Sequence, residues 1–246
     1  MKVFLTSTIG GSYVEDGTRI PCPFLDDNHF LEILRKHWPD NAKCLILSSS
    51  PDNNKLNDSF LMIFQEAFPM SGLSLSKIDI CDCRNEDKLA EIIYDYDVLL
   101  LAGGHVPTQN EFFHRIHLKE LIHRFTGTII GISAGSMNSA GLVYAQPELD
   151  EEVTDPNYKR YLEGLDLTKI SILPHFQELR EETIGGLRVL EDISLEDSRI
   201  KPYYALVDGS YVFIDDNGET LYGEAYWIEN GLITKVCENG ESKRLT

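Results

Sequence analysis

Short apolar runs alternate along this chain with longer stretches whose apolar positions recur at helical spacing. The apolar runs predict strands at Lys2–Thr6, Lys43–Leu47, Ser74–Ile80, Asp97–Ala102, Thr128–Ser133 and Lys169–Leu173. Between them the spacing predicts helices near 27–37, 55–68, 86–94 and 108–124. In the last of these, Phe112, Phe113, Ile116, Leu121 and Ile122 recur on a helical period with charged residues between them. Strands that are apolar throughout are covered on both faces, and strand–helix–strand alternation joins parallel neighbours. The fold class expected is α/β, a mostly parallel sheet flanked by helices on both faces. Ligands of such sheets gather at the carboxyl ends of the strands. Two of those ends are glycine-rich here, at Gly103-Gly104 and at Gly131-Ile132-Ser133.

Beyond about residue 200 the texture changes. Tyr203–Val207, Tyr211–Ile214, Glu224–Ile228 and Leu232–Val236 read as further strands. Asp208-Gly209, Asp216-Asn217-Gly218 and Asn230-Gly231 separate them, and each pattern is a hairpin signal. The tail is expected to add antiparallel strands to the same unit, so residues 1–246 are expected to form one domain. There is no internal repeat, low-complexity segment or linker, and the acidic stretch Glu148 to Asp155 is the expected long surface loop.

Charge narrows the field of partners. Against 22 Lys and Arg the chain carries 40 Asp and Glu, a formal charge of -18. Such a field repels phosphate backbones and anionic lipid, which argues against nucleic-acid and membrane-surface binding. The longest apolar stretch, Tyr96 to Ala102, is strand-sized and far short of a membrane span. The N-terminal run lacks the h-region and cleavage site of a secretory signal. Five scattered cysteines argue against a disulfide framework and for a reducing cytoplasm, the expected location. Cys81 and Cys83 have no further ligands at metal-binding spacing, so they read as structural thiols, with no metal and no cofactor expected.

The candidate chemistry lies in Gly131-Ile132-Ser133-Ala134-Gly135. A buried strand that stops at Gly-x-Ser-x-Gly and turns into a helix presents one hydroxyl from a sharp bend, which makes Ser133 the candidate nucleophile of an acyl transfer. A serine hydroxyl needs a base, and seven histidines compete for that role. His114, His117 and His123 lie on an amphipathic helix, His29 and His37 on another. His175 follows Leu173-Pro174 at a strand's carboxyl end, an edge that a parallel sheet would share with Ser133. Asp208, where a strand breaks into a turn, is the candidate third member, with Glu148 and Asp150 as rivals. The N–H groups of Gly104 and Ala134 are the natural oxyanion donors.

The chain resembles the dipeptidase E (aspartyl dipeptidase) family of serine peptidases, which includes cyanophycinases. The matching pieces are Leu99-Leu100-Leu101-Ala102-Gly103-Gly104, Gly131-Ile132-Ser133-Ala134-Gly135, Leu173-Pro174-His175-Phe176 and Leu206-Val207-Asp208-Gly209. This resemblance implies the class I glutamine amidotransferase-like fold, with a flavodoxin-like core and serine in place of cysteine at the elbow. It also implies a triad of Ser133, His175 and Asp208 acting on dipeptides or short peptides, with a preference for an acidic N-terminal residue. The sequence departs from the family at three places. Asp208 stands where aspartyl dipeptidases commonly have Glu, and His105 follows the Gly-Gly pair where Asn is usual. Ile184 follows Glu182-Thr183 where the family's substrate-gripping arginine is found, while Arg180 lies nearby. Gly103, His105 and Arg180 are the expected substrate-binding residues. A small peptide is the expected partner, and a homodimer is compatible with the chain.

Two other readings use the same residues. An α/β-hydrolase esterase would take Ser133, then Glu148 or Asp150, then His175, but about 70 strand-rich residues follow His175. A non-catalytic binding module on the amidotransferase-like scaffold would keep the Gly-Gly pocket without activity. Glutamine amidotransfer itself lacks its cysteine at position 133.

Overall fold

A computed structural model describes residues 1–245. Its main sheet has eight strands, in the order Ser242–Arg244, Gly218–Tyr222, Tyr211–Asp215, Lys2–Thr6, Thr128–Ile132, Val98–Leu101, Ala42–Leu47 and Leu75–Cys81. The five from Lys2–Thr6 to Leu75–Cys81 run parallel. Tyr211–Asp215, Gly218–Tyr222 and Ser242–Arg244 continue the sheet antiparallel. The class expected from the alternation of strands and helices is therefore the class observed.

Within each apolar strand, successive residues serve opposite faces. Val3, Leu5, Leu45, Leu47, Leu99, Leu101 and Ile129 pack with Phe112, Phe113, Leu118 and Ile122, from the helices Val106–Arg115 and Leu118–Ile122. Phe4, Cys44, Ile46, Val98, Leu100 and Ile130 pack on the other side with Phe30, Leu34, Phe64 and Phe68, from the helices Phe30–Lys36 and Asn54–Met70. Burial of that kind, at roughly 1.5–3 kcal/mol for each large apolar side chain, is the main favourable term that fixes the sheet.

Several boundaries differ from the sequence expectation, for physical reasons. The helix expected over 108–124 is two helices, broken where His117 takes a left-handed conformation (φ 51°). The 86–94 helix is a mixture of short 3-10 and α turns. Within the acidic stretch expected to be a loop, Asp150–Thr154 is helical, and the Glu152 carboxylate accepts the N–H groups of Glu148 and Leu149 at its start. A hairpin of Gly10–Glu15 and Thr18–Phe24 was not legible. Pro21 and Pro23 interrupt it and much of it is exposed, yet Phe24 anchors it on Phe64 and Phe68.

Two corrections bear on the site. The strand expected at Lys169–Leu173 is only Ile172–Leu173, and it does not join the main sheet. It pairs with Tyr203–Leu206 in a second sheet, completed by Ala225–Glu229 and Leu232–Cys237. Asp208-Gly209 is not a hairpin turn either, because Tyr203–Leu206 and Tyr211–Asp215 belong to different sheets. The chain crosses from one sheet to the other at Asp208. Ala134, Met137, Tyr144, Leu173, Phe176 and Tyr203 fill the space between the second sheet and the helix that follows Ser133.

Candidate active site

Ser133 stands between the last residue of the strand Thr128–Ile132 and the short helix Ala134–Met137. Its backbone is at φ 48°, ψ -109°, a region that an L-residue occupies only under constraint. The constraint is visible in its neighbours. A Cβ on Gly135 would lie 2.2 Å from the Leu101 carbonyl oxygen, and one on Gly131 would lie 2.8 Å from the Ser136 nitrogen. Only glycine at both positions lets the helix start fold back this tightly against the sheet. The Ser133 N–H donates to the Thr6 carbonyl on the adjacent strand at 3.1 Å, which fixes the bend from below.

His175 reaches the same point from the second sheet. It follows Leu173-Pro174 and takes a left-handed conformation, φ 54° and ψ 36°, ahead of the helix Phe176–Leu179. Its Nε2 lies 3.0 Å from Ser133 Oγ, and its Nδ1 lies 2.8 Å from Asp208 Oδ1. Asp208 is held in turn by the Ser7 hydroxyl, which donates to Oδ1 at 2.6 Å, while the Asp208 N–H donates to Gln177 Oε1. Hydroxyl, imidazole and carboxylate thus form one continuous hydrogen-bonded chain, brought from three distant segments.

Electrostatics act along this chain in a consistent direction. Burial alone would lower the His175 pKa. The hydrogen bond and charge of Asp208, aided by Glu178 and Glu148, more than reverse this and hold it above the usual imidazole range. Burial would raise the Asp208 carboxyl, but hydrogen bonds from His175 and Ser7 outweigh it and leave the pKa below the ordinary value. The rivals for the acid position are engaged elsewhere. Glu148 faces the Val106 N–H at 3.5 Å, and Asp150 accepts the Gly185 N–H at 2.7 Å. Glu148 is exposed at its surface, yet enough protein surrounds the carboxyl to push its pKa up. The charge of His105 and the Val106 N–H oppose that rise, while Glu152 and Glu182 add to it.

Two cavities meet at Ser133, Glu148 and His175. The larger, of about 630 Å³, runs under the hairpin past Thr8, Ser12, Arg19, Phe60, Gly103, Gly104 and His105. The smaller, of about 250 Å³, is bounded by Gln146, Leu173, Glu178 and Glu182. Their polarities differ. Glutamates supply the charge on the small side, whereas among the described residues Arg19 is the one arginine or lysine on the wall of the large side. Arg19 bonds the Ser12 hydroxyl at 3.0 Å. His105 lines the large cavity and is pinned between Thr108 Oγ1 and Glu152 Oε1, each at 2.7 Å. Arg180 lies on neither wall, and its guanidinium stacks over Phe176 and Tyr226. Ser7 and Arg19 are the residues that sequence reasoning missed. Arg19 carries no local signal, because a hairpin with weak alternation places it. Among the described residues, no group of three or more histidine, cysteine or acidic side chains is gathered to hold a metal ion.

Comparison with known proteins decides the family. The model of peptidase family S51 matches residues 28–222, most of the chain. The chain belongs to peptidase family S51. It is a serine-type peptidase with the dipeptidase E fold. Among solved structures, a peptidase from an acI-B1 actinobacterium superposes with a TM-score of 0.66 at 11% identity, covering 99% of this chain and 96% of the other. A protein described as a candidate peptidase E from Listeria monocytogenes EGD-e superposes with a TM-score of 0.56 at 16% identity, covering 100% and 98%. At these identities the superpositions speak for the fold. No curated protein matches the chain. This S51 peptidase also has, among its described residues, no helix long and apolar enough to cross a membrane.

Proposed function

We propose that this peptidase hydrolyses dipeptides or short peptides with Ser133 as nucleophile, His175 as general base and Asp208 as the orienting acid. The hydrogen-bonded line from Ser133 through His175 to Asp208, at 3.0 and 2.8 Å, carries this reading. His175 accepts the Ser133 proton as Oγ attacks the scissile carbonyl, then returns it to the leaving amine. Asp208 keeps Nδ1 protonated and stabilises the imidazolium that forms. The N–H groups of Gly104 and Ala134 receive the developing oxyanion. The first N–H groups of a helix have no partner within it, which leaves that of Ala134 free of intrahelical duty.

The charges of the two cavities set the substrate's orientation. A carboxylate of the peptide lies in the large cavity toward Arg19, and an ammonium group lies in the small one among Glu148, Glu178 and Glu182. Burying a carboxylate without a cation is costly, and Arg180 is turned away into its aromatic stack. A preference for an acidic residue therefore depends on Arg19.

A dipeptide library varied in the charge of its first residue, run beside a serine-directed fluorophosphonate, tests this. Turnover of wild type with labelling at Ser133, both lost in Ser133→Ala, is the expected result. A folded wild type that neither labels nor turns over any member would overturn the assignment and favour a binding module.

A further inference from the structure

We propose that Ser7 is a positioning residue for this centre, one that locks the acid and the base to the end of the N-terminal strand. The inference rests on the Ser133–His175–Asp208 reading.

Ser7 follows the strand Lys2–Thr6 and is 0% exposed. A hydroxyl has one proton to give and two lone pairs to offer. Here the proton goes to Asp208 Oδ1 at 2.6 Å, and the His175 backbone N–H donates to the same Oγ at 2.8 Å. The Leu206 carbonyl, at 3.5 Å, is too far to compete for the proton. One side chain therefore touches both the acid and the backbone of the base. The preceding residue does the same for the nucleophile. The Thr6 carbonyl accepts the Ser133 N–H and the Ser136 hydroxyl, and the Thr6 hydroxyl donates to the Gly131 carbonyl. Thr6-Ser7 thus bonds to all three segments, although those segments come from two sheets.

Two consequences follow for the reaction. His175 sits in a left-handed conformation, and such a conformation persists only where surrounding bonds over-determine it. The bond from its N–H to Ser7 is one of them. Asp208 Oδ1 also receives two donors, Ser7 Oγ–H and His175 Nδ1–H, so the hydroxyl takes a share of the charge that would otherwise act on the imidazole. Without Ser7 the carboxylate keeps His175 and Gln177 as partners but loses its buried hydroxyl donor, and more of its charge falls on His175. The other charged groups facing His175 are Glu178 and Glu148, with Glu182 further along the small cavity. None of them touches Ser7, so the substitution leaves their effect in place.

The test is the pH dependence of Ser133 phosphonylation by a fluorophosphonate. Ser133 Oγ bonds to phosphorus, the P–F bond breaks, fluoride leaves and His175 takes the proton, so no peptide substrate need be known. In Ser7→Ala we expect the labelling rate to fall roughly tenfold to a hundredfold, the scale seen when a hydrogen-bonded partner that orients a metal-ligating side chain is removed. The acid limb should also move to higher pH. Ser7→Cys, nearly isosteric and a weaker donor, should fall between Ser7→Ala and wild type, and thermal melts check that each variant is folded. A Ser7→Ala protein with the wild-type rate and limb overturns the proposal. Equal loss in both variants with an unmoved limb does so too, since it would mark Ser7 as packing only. If Ser7→Ala does not fold, the limb of Ser7→Cys decides alone. Labelling that persists in Ser133→Ala would instead reject the triad reading, a separate result.

Discussion

His175 Nε2 lies 3.0 Å from Ser133 Oγ, although the strand ahead of His175 and the strand ahead of Ser133 belong to different sheets. The pair therefore depends on how the two sheets pack, through Ala134, Met137, Leu173 and Phe176, and not on strand neighbourhood. Local chemistry at either residue can be altered without disturbing that packing.

Ser133→Ala removes one oxygen from a partly exposed position and relieves none of the surrounding contacts. Turnover should fall by up to about 10⁶-fold, the scale for a lost serine nucleophile, with the melting temperature nearly unchanged. Peptide hydrolysis by the purified variant, followed beside its melting curve, checks both. Near-native turnover would falsify the role assigned to Ser133.

The pH profile has a defined sign. In the proposed role His175 must be neutral to accept the proton, and its pKa is held above the usual imidazole value of about 6.5. Activity should thus rise with pH along a limb centred above that value. Asp208→Asn deletes the charge that does most to raise the pKa and leaves burial, which lowers it, opposed only by Glu178 and Glu148. The limb should move down while the rate drops, by as much as about 10⁴-fold. An unshifted limb in Asp208→Asn would show that some other group governs His175.

Glu148 offers the contrasting case. Its carboxylate faces Val106 N–H and lies between the cavities, not at His175 Nδ1. Glu148→Gln should leave kcat within a few-fold and act chiefly on KM for substrates with a free ammonium group. A kinetic defect as deep as that of Asp208→Asn would transfer the acid role to Glu148.

Arg19→Gln removes the arginine on the wall of the large cavity. Given roughly 1.5–3 kcal/mol for a hydrogen bond to a charged group, KM for a peptide with a carboxylate in that cavity should rise about tenfold to a hundredfold. Peptides with an amidated C-terminus, or with Asn in place of Asp, identify which carboxylate is concerned, because the relevant one loses its sensitivity to the substitution. If all peptides are affected alike, Arg19 does not read a carboxylate.

Gly135→Ala tests the elbow itself. Its Cβ would fall 2.2 Å from a backbone carbonyl that cannot swing aside, so the strand or the helix must shift. A loss of at least about 1–3 kcal/mol is expected, visible as a melting temperature lower by several degrees. Loss of activity should accompany it, since Ser133 rides on the same bend. An unchanged melting temperature would mean that the bend is less tight than described.

The parallel core was legible because its inner strands are largely apolar on both faces, as in Val98–Leu101, where every residue is buried. Ser133 was legible because glycines at 131 and 135 mark a close approach that other residues cannot make. Asp208 was placed at a turn correctly, but its turn joins two sheets, and Asp-Gly alone looks the same in either setting. The hairpin of Gly10–Glu15 and Thr18–Phe24 escaped because its hold on the protein comes from Phe24 packing against a distant helix, not from its own alternation. Arg19 escaped with it. Ser7 was invisible for a simpler reason. A serine after a strand has no signature, and its partner Asp208 lies 201 positions away.

That separation has a bearing on how the enzyme comes into being. The strand Lys2–Thr6 forms ladders with Thr128–Ile132 on one side and with Tyr211–Asp215 on the other. During synthesis the first of these partners emerges long before the second, and pairings between remote parts of a chain form slowly. In chain order Ser133 and His175 both precede Asp208, so the proposed set is whole only once the strand of the second ladder is being made.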